Sequence, residues 1–126
     1  MVIPKTVLLV DDESHVRFYV KMTLKALGIR EIHEATTGEE AVRMYQELTP
    51  DFVLMDVNMP VMDGLEALGK INDVDPDALV VMLTSLAARE IIETSAERGA
   101  VQYIRKDVPS SELKKLIQEV MEEYFG

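Results

Sequence analysis

The chain has no cysteine, which excludes both a disulfide framework and any thiolate metal site. Positive charge is scarce. Thirteen Lys and Arg stand against 23 Asp and Glu, for a net charge of −10 and a sequence pI near 4.6. Such a field repels nucleic acid and anionic membranes, so neither is expected as a direct partner. Most of that charge reads as solvated surface, and it also suits basic partner surfaces. No apolar run approaches the roughly 20 residues a membrane span needs, and the N-terminus, Met1 to Thr6, lacks a signal peptide's apolar segment. The expectation is a cytoplasmic protein. No glycine-rich loop follows any apolar run, which counts against a nucleotide site. No Ser–His–Asp arrangement is evident: His15 opens a helical segment, His33 lies in a weak strand, and both read as surface residues.

What is present is a globular balance, with 126 residues, 48% apolar and 29% charged, enough for one ordinary domain with a sizeable core. The eight methionines are most simply core filler. No linker, repeat or low-complexity segment interrupts the chain, so residues 1–126 are expected to form a single domain without an output domain.

Apolar runs alternate with segments of helical period. Strands are expected at 7–10, 31–35, 52–55, 79–83 and 101–105. After the first strand, Val16, Val20, Thr23, Leu24 and Leu27 share a helix face, and Gly28 supplies the stop. Thr37 and Glu40 have capping-box spacing before a helix carrying Ala41, Met44, Tyr45 and Leu48 inward. A third helix spans about 65–74. A fourth, about 87–98, is expected to turn Ile91, Ile92, Ser95 and Ala96 inward. The last, with Leu113, Leu116, Ile117, Val120, Met121 and Tyr124 in register, is expected to be capped by Ser110. Five strand–helix units in strict alternation argue for an open parallel sheet covered by helices on both faces.

In such sheets ligands bind beyond the carboxyl ends of the strands. Asp11-Asp12 ends the first strand, Asp56 the third, Thr84-Ser85 the fourth and Lys106 the fifth. Three carboxylates on neighbouring strand ends repel by roughly 4 kcal/mol per pair at about 4 Å and an effective dielectric near 20. Such a cluster either takes up protons or holds a cation. Oxygen-only ligands with open positions suit Mg²⁺ together with a phosphate. A lysine on the far side would meet that phosphate as a point charge, and the Thr84 hydroxyl could bond a phosphoryl oxygen. Taken singly, each residue has a plainer use: Asp as a helix cap, Thr84 in a turn, Lys106 as an exposed strand end.

Together, Asp11-Asp12, Asp56, Thr84-Ser85, Tyr103 and Lys106, with Met59-Pro60-x-Met62-Asp63-Gly64 between them, resemble the receiver domain of two-component response regulators. The chain is similar from end to end to a stand-alone, CheY-like receiver. The resemblance implies a flavodoxin-like (βα)5 doubly wound parallel sheet, strand order 2-1-3-4-5. It implies that Asp56 accepts a phosphoryl group from a histidine kinase or histidine phosphotransfer protein, or from a small acyl phosphate. It implies Mg²⁺ held by Asp12, Asp56 and the carbonyl of Asn58, with Asp11 acting through water. Lys106 and Thr84 would contact the phosphoryl group. Thr84 and Tyr103 would form a switch that changes the face of the fourth helix, fifth strand and fifth helix for a downstream protein. On that reading the protein is a monomer and no enzyme beyond its own phosphoryl transfer and autodephosphorylation.

Two positions depart from the family. Asp107 stands where proline usually follows the lysine; a cis bond there costs about 2.5–4 kcal/mol, which weighs toward a differently set trans loop, and the residues alone leave the isomer open. Ser85 stands where alanine or glycine is usual, and Asn58 and Leu86 occupy positions that tune dephosphorylation. Asp107 and Ser85 motivate a rival: a phosphate-independent receiver-like interaction module. An aspartate-nucleophile phosphatase is disfavoured, since Asp56-Val57-Asn58 lacks a second acid two residues on.

Overall fold

The computed structural model describes residues 3–85 and 89–126. Five parallel strands, β1 (Thr6–Val10), β2 (Glu31–Ala35), β3 (Phe52–Asp56), β4 (Val80–Thr84) and β5 (Gln102–Arg105), lie in the order β2-β1-β3-β4-β5. They alternate with α1 (Ser14–Ala26), α2 (Gly38–Leu48), α3 (Gly64–Val74), α4 (Arg89–Glu97) and α5 (Ser110–Phe125). The alternation led to the expectation of a parallel sheet covered on both faces, and the observed order is the flavodoxin-like (βα)5 one that the resemblance implies.

The central strands β3 and β4 are buried along their whole length, as strands covered on both faces must be. Alternation along each strand divides the core in two. Leu8, Val10, Val53, Met55, Val80 and Met82 face Ala41 and Tyr45 of α2 and Ala67, Leu68 and Ile71 of α3. Val7, Leu9, Leu54, Val81 and Leu83 face Val20 and Leu24 of α1 and Leu113, Ile117 and Met121 of α5. Each such aliphatic side chain fully removed from water contributes about 1.5–3 kcal/mol, so helix propensity is secondary here.

Register sets the functional edge. Val10 pairs with Met55, Asp56 with Leu83, and Thr84 with Arg105. The residues at or just beyond these strand ends, Asp11, Asp56, Thr84 and Lys106, therefore emerge along one border of the sheet.

Local chemistry fixes the helix ends. Thr37 accepts a hydrogen bond from the Glu40 amide at the start of α2, and Asp63 does the same for Glu66 at the start of α3. Gly28 takes a φ of +97° after α1, a conformation that favours glycine. Four expectations need correction. Strand four runs 80–84, one residue later than read, because its ladder extends to Thr84 opposite Arg105. Pro109, not Ser110, is the N-cap of α5, and no side chain among the described residues caps it. On α4, Ser95 is buried and Ile91 half-buried, but Ile92 and Ala96 are exposed, so only part of the apolar stripe meets the sheet. Leu48 and Tyr124, expected inward, are exposed as well. The expected first turn of α4 at 87–88 lies outside the described residues, as does Leu86. Among the described residues no helix is long and apolar enough to cross a membrane.

Candidate functional site

The three aspartates converge. Asp11, Asp12 and Asp56 each offer a carboxylate oxygen, and these oxygens lie within 4.8 Å of one another. Asp11 and Asp56 are buried, whereas Asp12 is exposed. Lys106 closes the other side: its Nζ donates to Asp11 Oδ2 at 2.8 Å and lies 3.2 Å from Asp56 Oδ1. Residues separated by up to 95 positions thus meet because β1, β3 and β5 end on one edge.

Each carboxylate is fixed by local structure. The Asp11 amide donates to the Ala35 carbonyl across the β1–β2 edge, and Asp11 Oδ1 accepts from the Glu13 amide. Arg17 Nη1 donates to the Asp11 carbonyl. Asp56 is followed by a tight loop in which the Gly64 amide donates to the Val57 carbonyl. A Cβ on Gly64 would sit 1.9 Å from the Asp56 carbonyl oxygen, so that close approach requires glycine. In the same loop Val61 is almost fully exposed and adopts a φ of +68°. This left-handed conformation is strained for a β-branched residue.

The electrostatics follow from burial. Asp56 is pushed up from 3.8 to about 6, first by burial and then by the neighbouring Asp11, while Lys106 and the Asn58 amide pull it down. For Lys106 burial alone would lower the amine, but its bond to Asp11 and the charges of Asp56 and Asp11 more than offset that, so it rises. The ammonium is held charged and partly neutralises the acids. A divalent cation would complete that neutralisation, and the all-oxygen donor set with one exposed member fits Mg²⁺.

Thr84 is buried at the end of β4, and Lys106 is tied to it through its own amide, which donates to the Thr84 carbonyl at 3.0 Å. The neighbouring Tyr103 has a buried hydroxyl that makes no well-formed hydrogen bond among the described residues. Burial raises its phenol, and the Thr84 side chain opposes that shift. Asn58 is exposed in the β3–α3 loop with its amide toward Asp56, and Ser85 is exposed beyond β4. All the site residues anticipated from sequence therefore lie at or near this edge. No peptide among the described residues is cis, so the Lys106–Asp107 bond, whose isomer the residues alone leave open, is trans.

Sequence reasoning missed three residues around the site. Glu13 places a carboxylate oxygen 3.9 Å from Lys106 Nζ; its position directly after Asp11-Asp12 was the available signal. Arg17 has no local pattern that points to the Asp11 carbonyl. Tyr19 donates from its hydroxyl to the Val108 carbonyl, 89 positions away, and periodicity cannot reveal such a contact.

The geometry agrees with the comparisons. The family described as response regulator receiver domain matches residues 7–118. The chain is 34% identical over 116 residues to the chemotaxis protein CheY of Thermotoga maritima, covering 92% of this chain and 97% of that one. It is 37% identical over 117 residues to CheY of Halobacterium salinarum, covering 93% and 97%. It also matches the nitrate/nitrite response regulator NarL of Escherichia coli at 34% identity, covering 92% of this chain but 54% of that one. Among solved structures, a CheX–CheY–BeF3–Mg²⁺ complex from Borrelia burgdorferi superposes with a TM-score of 0.88 at 31% identity, covering 98% and 92%. The fold and its acidic edge define a two-component signalling domain. The chain belongs to the response regulator receiver family.

Proposed function

We propose that Asp56 is a phosphoryl acceptor and that its phosphorylation switches this protein's affinity for a downstream partner. The observation that carries the reading is Lys106 Nζ bridging buried Asp11 and Asp56, with Asp12 open to solvent beside them. An Asp56 carboxylate oxygen would attack the phosphorus of a phosphohistidine, forming a P–O bond as the P–N bond breaks. The bonding pair leaves with the imidazole nitrogen, which then takes up a proton.

Asp12, Asp56 and the Asn58 carbonyl would hold Mg²⁺, with Asp11 assisting through water, and the bound ion would supply charge neutralisation on the phosphoryl oxygens. Lys106 supplies the complementary charge, and Thr84 a hydroxyl donor. In-line phosphoryl transfer depends chiefly on positioning and neutralisation, and these residues are placed for both. Beyond its own phosphorylation and dephosphorylation, this reading assigns the chain no enzymatic turnover.

The phosphoryl donor is then a histidine kinase or histidine phosphotransfer protein, and the likeness to CheY proteins supports a chemotaxis-type output. The face that would respond is formed by α4, β5 and α5. A cavity of about 120 Å³ lies there, bordered by Ile92, Ser95, Ala96 and Tyr103. A ligand-driven change must act through differential affinity for two packings. New phosphoryl oxygens beside Thr84 would supply that difference and pass it to Tyr103.

One observation favours a second reading. The Tyr103 hydroxyl is already enclosed next to Thr84, as a constitutively arranged interaction face would require. Acetyl phosphate with Mg²⁺ tests the first reading: the mass should rise by one phosphoryl group, and Asp56→Ala should show no adduct. An unchanged wild-type mass overturns it. Adduct formation with equal partner affinity in both forms would leave the constitutive module as the better account.

A further inference from the structure

Lys106 lies in the short connection from β5 to α5, and residues 105 to 108, from the last residue of β5 into that connection, are each tied down. Arg105 is paired with Thr84 in the β4–β5 ladder. The Lys106 amide donates to the Thr84 carbonyl. Arg105 Nε donates to Asp107 Oδ1 at 3.0 Å, and its Nη2 also reaches Asp107 Oδ2, so the guanidinium and carboxylate form a two-pronged fork across Lys106. Tyr19 Oη donates to the Val108 carbonyl at 3.2 Å. The fork is built on the outer side, where both partners are exposed, while the intervening Lys106 side chain turns inward to Asp11 and Asp56. Tyr19 adds what the fork cannot. It belongs to α1, the helix that follows Asp11-Asp12, so its bond ties the lysine side of the site to the carboxylate side.

We propose that Tyr19 and the Arg105–Asp107 fork are positioning residues that hold Lys106 in line with Asp56 for phosphoryl transfer. The proposal rests on Asp56 being the acceptor. Neither Tyr19 nor Asp107 touches the three aspartates in any hydrogen bond or ion pair found among the described residues. Their effect must therefore pass through the 105–108 backbone. A planar guanidinium gripping a carboxylate at two points fixes direction as well as distance, which a lone exposed ion pair would not. The Tyr19 bond is half-buried and fixes the carbonyl two residues beyond the lysine.

The test is a double-mutant cycle on phosphorylation by acetyl phosphate at saturating Mg²⁺, followed by intact-protein mass. Tyr19→Phe keeps the ring and removes only the hydroxyl. Asp107→Asn keeps the shape and breaks the charged fork. Each should slow Asp56 phosphorylation about threefold to tenfold, the scale expected for losing one aligning hydrogen bond. In a Lys106→Ala background the same substitutions should change the residual rate less than twofold, since no lysine remains to be aligned. A general loosening of the fold would slow both backgrounds alike.

Equal slowing in the two backgrounds, or no slowing in either, overturns the assignment for that residue. A wild-type protein that takes up no phosphoryl group at all overturns the acceptor reading itself, and that result is distinct from a normal wild type with an indifferent Tyr19→Phe variant.

Discussion

Asp56 is the residue on which burial and function conflict most directly. Its carboxyl is pushed from 3.8 up to about 6 by burial and by Asp11. A carboxyl whose folded pKa exceeds its unfolded value binds its proton more tightly in the fold. Its contribution to stability is then fully present below about pH 4 and lost as pH rises through about 6. The metal-free domain should therefore lose stability from this group between pH 4 and 7. A shift of this size corresponds to about 2–3 kcal/mol at 1.36 kcal/mol per unit. Asp56→Asn, which keeps the shape and cannot ionise, should be more stable than wild type by about that amount in EDTA at pH 7.5. The difference should shrink toward pH 4. Urea unfolding at the two pH values checks this, and a gap that stays constant or widens on acidification would contradict it. Such a sacrifice of stability at one position is what a site for a cation and a phosphoryl group demands.

At the scale of single elements, what was legible in the sequence depended on how local the determining contacts are. The α2 start is a case of full legibility. Thr37 accepts from the Glu40 amide at 3.1 Å, and the Glu40 carboxylate reaches back to an amide, that of Thr36 at 3.0 Å. Thr37→Ala should thus cost about 1 kcal/mol of stability, read as a lower urea midpoint with an unchanged slope. The α5 start was misread because serine is a common cap, whereas here Pro109 takes that place and makes no side-chain cap bond. On α4 the periodic stripe was read correctly as a pattern but not as a burial map. Only Ser95 is fully covered, which leaves Ile92 40% exposed on the face proposed to meet a partner. The acids, Thr84 and Lys106 were legible because each ends an apolar run. Tyr19 and Arg17 were not, because their partners, Val108 and the Asp11 carbonyl, are set by tertiary packing rather than by spacing.

Across the whole molecule, the register of a parallel sheet turns four separate strand ends into one charged edge on a chain that already carries a net charge of −10. The two cores on either face fix the strands, so the backbones that carry the aspartates are kept close despite their repulsion. The Lys106 ammonium answers them from within. A divalent cation that binds this edge binds the folded state alone, because the unfolded chain does not bring residues 11, 12 and 56 together. Linkage then sets the size of the effect: at 100 times its dissociation constant the ion adds about 2.7 kcal/mol to stability. Wild type should gain about that much in Mg²⁺ over EDTA at pH 7.5. Asp12→Asn, which removes the solvent-facing ligand without disturbing a buried contact, should lose most of that gain. Asp56→Asn should also gain little, so the advantage it holds over wild type in EDTA should largely disappear in Mg²⁺. Diffuse screening of the acidic surface predicts the opposite pattern: the same Mg²⁺ gain in all three proteins, matched by monovalent salt of equal ionic strength. Chemical unfolding of the three proteins under those conditions separates a built cation site from the general effect of a net charge of −10.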